Sequence, residues 1–123
     1  MKHLLWLMLV AGAACALQAH GQTPAQAAKP NVIHWGTASE HDNFGYDVYR
    51  GLSAEGPFTR VTDEPVPGAG TTDIPQRYEY LDTAILADTV YWYYVESISL
   101  SGERRRITPI YQSKPKPAAP TEG

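Results

Sequence analysis

The stretch from Thr89 to Ser99 constrains this chain more than any other. Tyr91, Tyr93, Val95 and Ser97 alternate there with Trp92, Tyr94, Glu96 and Ile98. A period of two puts the two sets on opposite faces of an extended strand and makes no apolar stripe on a helix. Aromatic and β-branched residues also suit a pleated, half-buried surface. Shorter alternating runs surround it: Asn31 to Trp35, Tyr46 to Tyr49, Phe58 to Val61, Tyr78 to Leu81 and Arg104 to Tyr111. Turn residues divide them, at SAEGP (53–57) and Ser101-Gly102, and EHDNFG (40–45) is read as a further turn. The Pro- and Gly-rich stretch 62–77 is read as loop with at most a short edge strand. No amphipathic helical stretch and no internal repeat is found. Short strands between turn signals predict an all-β antiparallel sandwich or barrel.

The ends of the chain differ from its middle. Lys2 precedes an uncharged apolar run from Leu4 to Ala14, followed by small residues at Ala14-Cys15-Ala16 and Ala19-His20-Gly21. That is the signature of a signal peptide over 1–21; the apolar run is too short to span a bilayer, which takes about 20 apolar residues. Residues 22–30 read as a linker, 31–112 as one domain and 113–123 as a Pro-rich, extended, disordered tail. Cys15 is the only cysteine. Either it is discarded with the signal, which leaves no disulfide, or it is acylated as the first residue of a bacterial lipoprotein. The protein is accordingly expected to be secreted or periplasmic, or else an outer-membrane lipoprotein.

Three stretches, VIHW (32–35), GYDVYRGLSAEGPFTRV (45–61) and YEYLDTAILADTVYWYYVESISLSG (78–102), resemble a fibronectin type III domain of a secreted bacterial protein. The resemblance covers about two-thirds of the chain and implies an immunoglobulin-like sandwich. Trp35 would be its core tryptophan, and Asp82 would end the fifth strand. Ile85 and Tyr91 match the tyrosine corner, in which the Tyr hydroxyl bonds back to the backbone. The family's first strand should precede Asn31, yet 22–30 shows no apolar alternation, so that strand is short or missing. Its absence would expose the strand carrying Trp35 as a sheet edge open to docking.

Catalytic and cofactor patterns are lacking. There is no G-x-S-x-G, H-E-x-x-H or C-x-x-C, and Gly68-Ala-Gly70 lacks the Lys and helix of a phosphate loop. His41-Asp42 reads as part of a solvated turn, and Glu79 and Asp82, three apart on a strand, point to opposite faces. No catalytic residue, metal site or cofactor is expected. With a formal charge of −3, the chain shows no electrostatic footprint for nucleic acid, and membrane contact would come only through Cys15.

Two surfaces are candidates for binding. If Tyr46, Val48, Tyr91, Tyr93 and Val95 point inward, Tyr49, Trp92 and Tyr94 point outward on neighbouring strands and can form an aromatic platform. Arg104 and Arg106 share a face and are candidates for an anionic ligand, or for pairing with Glu96. The expected function is that of a non-enzymatic module binding a protein or carbohydrate of the cell envelope or extracellular space. The alternatives are a structural envelope subunit pairing through its open edge and an accessory component of a polysaccharide-acting system.

Overall fold

The computed structural model describes residues 26–120, so the expected signal peptide, Cys15 and residues 22–25 of the expected linker lie outside the described residues. These form eight strands and no helix: β1 (Asn31–Thr37), β2 (Glu40–Gly51), β3 (Phe58–Arg60), β4 (Val66–Thr72), β5 (Gln76–Asp82), β6 (Trp92–Ser99), β7 (Arg104–Arg106) and β8 (Tyr111–Gln112). All pairings are antiparallel. β1 and β5 make one sheet. The other has the order β3-β2-β6-β7, with β4 also on β2 and β8 on β6.

The two sheets close on the side chains that alternation assigns inward. Ile33 and Trp35 from β1 meet Tyr46 and Val48 from β2 and Tyr93 and Val95 from β6. Trp35 stacks on Tyr78 at 5.5 Å and meets Tyr46 edge-on at 5.4 Å. Each such buried side chain stabilises the fold by roughly 1.5–3 kcal/mol. The Tyr91 hydroxyl accepts the Leu86 N–H at 2.9 Å, the backbone contact that the resemblance implies, and Ile85 beside it is buried. Tyr91→Phe removes this acceptor while keeping the ring. We expect it to lower stability by about 1 kcal/mol, measured by urea denaturation.

Polar groups cross between the sheets as well. Asp82 accepts from Arg50 Nη1 at 2.8 Å on both oxygens, from Tyr93 Oη at 2.7 Å and from the Ala84 N–H at 3.2 Å. Asn31 in turn donates to Tyr93 Oη at 2.9 Å.

Two expectations about the strands are corrected. EHDNFG is not a turn but the first half of β2, which is the longest strand at 12 residues; β6 runs only from Trp92. Its Glu40 and Asn43 side chains are buried and bonded, while His41 and Asp42 stay exposed. Glu40 is buried and accepts from Asn43 Nδ2 at 2.6 Å, the Ala69 N–H at 3.0 Å, Thr37 Oγ1 at 2.9 Å and Tyr78 Oη. A register shift with Asp42 at φ 48° absorbs the irregularity.

Stretch 62–77 also holds more than a short edge strand, since β4 spans seven residues on β2. Glycine is what allows this approach. A Cβ on Gly45 would lie 2.5 Å from the Val66 carbonyl oxygen, and one on Gly68 would run into the Asn43 side chain.

The described ends of the chain bond to each other and to the domain. Ala28 is buried, and the described part of the linker pairs with the tail: Lys29 N–H donates to the Pro117 carbonyl at 3.2 Å and Ala119 N–H to that of Ala27 at 3.0 Å. Ser113 and Lys116 bond to Tyr91 and Asp88 backbone groups. The tail is therefore held in place at least to Ala119. Its prolines keep it extended and still offer carbonyl acceptors, and the small Ala27 and Ala28 let the two backbones come close. The strand expected before Asn31 is present only as the isolated bridges Ala27–Leu86 and Ala28–Ala118.

Candidate functional site

The outer face of the six-stranded sheet collects both sets of side chains singled out in the sequence. Register decides this. Tyr49 stands opposite Tyr94 and Arg60, Gly51 opposite Trp92 and Phe58, and Glu96 opposite Asp47 and Arg106. The Tyr49 and Tyr94 rings stack at 4.9 Å with 10° between their planes, and Phe58 meets Tyr94 edge-on at 5.1 Å. Phe58 can lean in because Gly51 has no side chain; its ring atoms lie 3.0 Å from where that Cβ would be. The Arg106 guanidinium sits 5.6 Å from the Tyr94 ring centroid, a cation–π distance.

Trp92 is on the same face and half-buried, but it stands across from Gly51 and is not part of the ring stack. The platform is thus Tyr49, Tyr94 and Phe58, flanked by Trp92 and Arg106. Phe58 was missed in the sequence because its strand is three residues long, too short for alternation to show a face. Its spacing of two from Arg60 was the available signal.

The arginines divide. Arg104 Nη1 donates to Asp47 Oδ2 and Glu96 Oε1, both at 3.0 Å, and lies 3.5 Å from Tyr49 Oη. Asp47 is fully buried and also accepts from Thr62 Oγ1 at 2.7 Å. Glu96 and Asp47 raise the Arg104 pKa still further. Both arginines are exposed, but Arg104 is paired with two carboxylates, while Arg106 has none within 4.0 Å among the described residues. The Tyr49 and Tyr94 hydroxyls are shifted upward, first by burial and then by the Glu96 carboxylate, and stay protonated at neutral pH.

No protein-family model, curated protein or solved structure matches this chain. What the face can do therefore follows from its chemistry. It offers a compact, half-exposed cluster of neutral rings, two stacked on each other and one set edge-on, with hydroxyl groups and a cation at one side, suited to covering apolar surface of a partner.

Elsewhere, His41 Nε2 lies 3.2 Å from Asp42 on an exposed stretch, and His34 is 3.8 Å from Glu79 on the outer face of the two-stranded sheet. Glu79 is exposed and Asp82 buried, on opposite faces of β5. Among the described residues no group of three or more His, Cys, Asp or Glu is placed to hold a metal ion.

Proposed function

We propose that this chain is an exported, non-enzymatic binding module of the fibronectin type III kind. Its ligand, a protein or glycan of the cell envelope or extracellular space, docks on the outer face of the six-stranded sheet. The observation that carries this reading is the half-exposed Tyr49–Tyr94–Phe58 stack with Arg106 over its end. Rigid rings bury large area at small entropic cost, and aromatic and Arg side chains dominate the energetics of known interfaces. Arg104, tied to Asp47 and Glu96, holds Tyr49 in place beneath them. The fibronectin type III assignment is supported by the Tyr91 hydroxyl bond to Leu86 and by the two antiparallel sheets around Trp35. Export is supported by the Lys2-to-Gly21 pattern.

The test uses protein recovered from the exported fraction, whose N-terminal mass also reports whether Cys15 is retained. On a glycan array and in pull-downs from an envelope extract, Tyr94→Ala and Trp92→Ala should weaken partner capture at least tenfold, about 1.4 kcal/mol each. Full capture by a folded Tyr94→Ala/Trp92→Ala variant would sink the proposal.

A further inference from the structure

The strands of the outer face sort their charges by depth. Three arginines stand there: Arg60 on β3, opposite Tyr49, and Arg104 and Arg106 on β7. The carboxylates of that face are Asp47 on β2 and Glu96 on β6. The other acids of these strands, Glu40 and Asp42, share a cavity with Ser97 and Arg105, which alternation puts on the opposite face. No carboxylate besides Asp47 and Glu96 lies within 4.0 Å of the three arginines among the described residues, and Arg106 has none at all. Asp47 is 0% exposed and Glu96 18%, against 41% for Arg104 and 51% for Arg60. Three guanidinium groups therefore cover two sunken carboxylates, and the charge turned outward is positive.

Ring orientation adds to this. β6 lies between β2 and β7. Tyr94 therefore has Tyr49 stacked on one side of its ring and the Arg106 guanidinium over the other. With both faces taken, it offers a partner its edge and its hydroxyl, which stays protonated. An aromatic edge is the positive part of the ring, and guanidinium N–H groups only donate. Stacking on a sugar ring needs an open aromatic face, which Tyr94 lacks. Arg60 and Arg106 belong to β3 and β7, the outermost strands of the row β3-β2-β6-β7. Three strand spacings set their backbones about 14 Å apart, with the rings between them.

We propose that the outer face binds an acidic segment of a partner protein, whose carboxylates reach Arg60 and Arg106 on either side of an apolar centre seated on Tyr49, Tyr94 and Phe58. This rests on the reading of that face as the docking surface and names the chemistry of its partner. Arg104 is already held by Asp47 and Glu96 and positions Tyr49 from within the face. Face-to-face pairing with a second copy would set arginines against arginines, which disfavours it.

The probe is a fluorescent, end-blocked peptide with a Leu-Phe-Leu centre and a pair of glutamates at each end. Extended, it holds its inner acids about 14 Å apart. Binding to the exported protein is followed by anisotropy. The glutamate peptide should saturate, and the same peptide with glutamine for glutamate should bind at least tenfold more weakly. The Arg60→Gln/Arg106→Gln variant should lose that preference, and Arg60→Glu/Arg106→Glu should instead prefer a lysine peptide, since charge complementarity sets partner choice. The proposal is overturned if the glutamate peptide fails to bind, binds no better than the glutamine peptide, or binds the folded arginine variants unchanged. It is equally overturned if polygalacturonate binds more tightly than the peptide per acidic group, which would assign the face to an acidic glycan. The two readings of the face fail separately. Partner capture lost in Tyr94→Ala/Trp92→Ala but kept in Arg60→Gln/Arg106→Gln retains the docking surface and removes its acidic partner. Capture kept in both variants removes both.

Discussion

Replacing Asp82 with alanine should cost the fold about 3–5 kcal/mol, the usual penalty for stranding one member of a buried ion pair. Its side chain is 2% exposed and accepts from Arg50, Tyr93 and the Ala84 backbone at once. Removing it leaves the Arg50 charge and the Tyr93 hydroxyl, both set into the seam between the sheets, without an acceptor. Arg50 also lies 5.2 Å from the Tyr91 ring centroid, so the loss reaches the side chain whose hydroxyl accepts the Leu86 N–H. Urea denaturation of Asp82→Ala, Arg50→Met and the double variant forms the check. The double variant should be less damaged than the sum of the singles, by 1 kcal/mol or more on the order seen for contacting pairs. Additive costs, or a loss below about 1 kcal/mol for Asp82→Ala, would show that the network contributes little beyond packing.

The second large effect is acid sensitivity from Glu40. Burial works against its charged form, but hydrogen bonds from Tyr78, the Ala69 N–H, Asn43 and Thr37 outweigh burial and hold its pKa down from 4.5 to about 2. The folded value lies below the unfolded one. The stabilisation is therefore complete above about 4.5 and is lost as the pH falls towards about 2. Glu40→Gln gives up the charge-assisted bonds and turns an amide donor towards groups that also donate. It should cost about 2 kcal/mol at neutral pH. Denaturation curves of wild type and Glu40→Gln across pH 2–7 should converge at the acid end. Parallel curves at all pH values would rule Glu40 out as the acid-labile group. The burial that raises the Tyr46 hydroxyl to about 12 keeps this neighbour neutral throughout.

Much of the architecture was legible because a strand states its faces locally. Tyr46, Val48, Tyr91, Tyr93 and Val95 are all buried, as alternation requires, and Tyr49, Trp92 and Tyr94 lie on the other face. The 40–45 stretch was not legible, since a run of Glu, His, Asp and Asn normally means solvent. Here Glu40 and Asn43 satisfy each other and reach Tyr78, a partner 38 residues away from Glu40. β4 was hidden for the opposite reason. Its glycines weaken strand propensity but are required where Gly68 passes over Asn43. The pairing of 26–29 with the tail was equally invisible, because it uses backbone groups that every residue carries.

The alternation of Thr89 to Ser99 by itself determined that this chain forms antiparallel sheets with one aromatic set inside and another outside, since side-chain direction along a strand is a local property. Only the tertiary structure decided what the outer set becomes. Register over 45 residues places Tyr49 against Tyr94, a short third strand brings Phe58 over Gly51, and Arg104 is drawn 57 residues across to the buried Asp47. It also decided that β1 keeps a free edge, because the preceding segment found its partners in the tail instead. Contacts of that range depend on which backbones meet, and no local pattern encodes them.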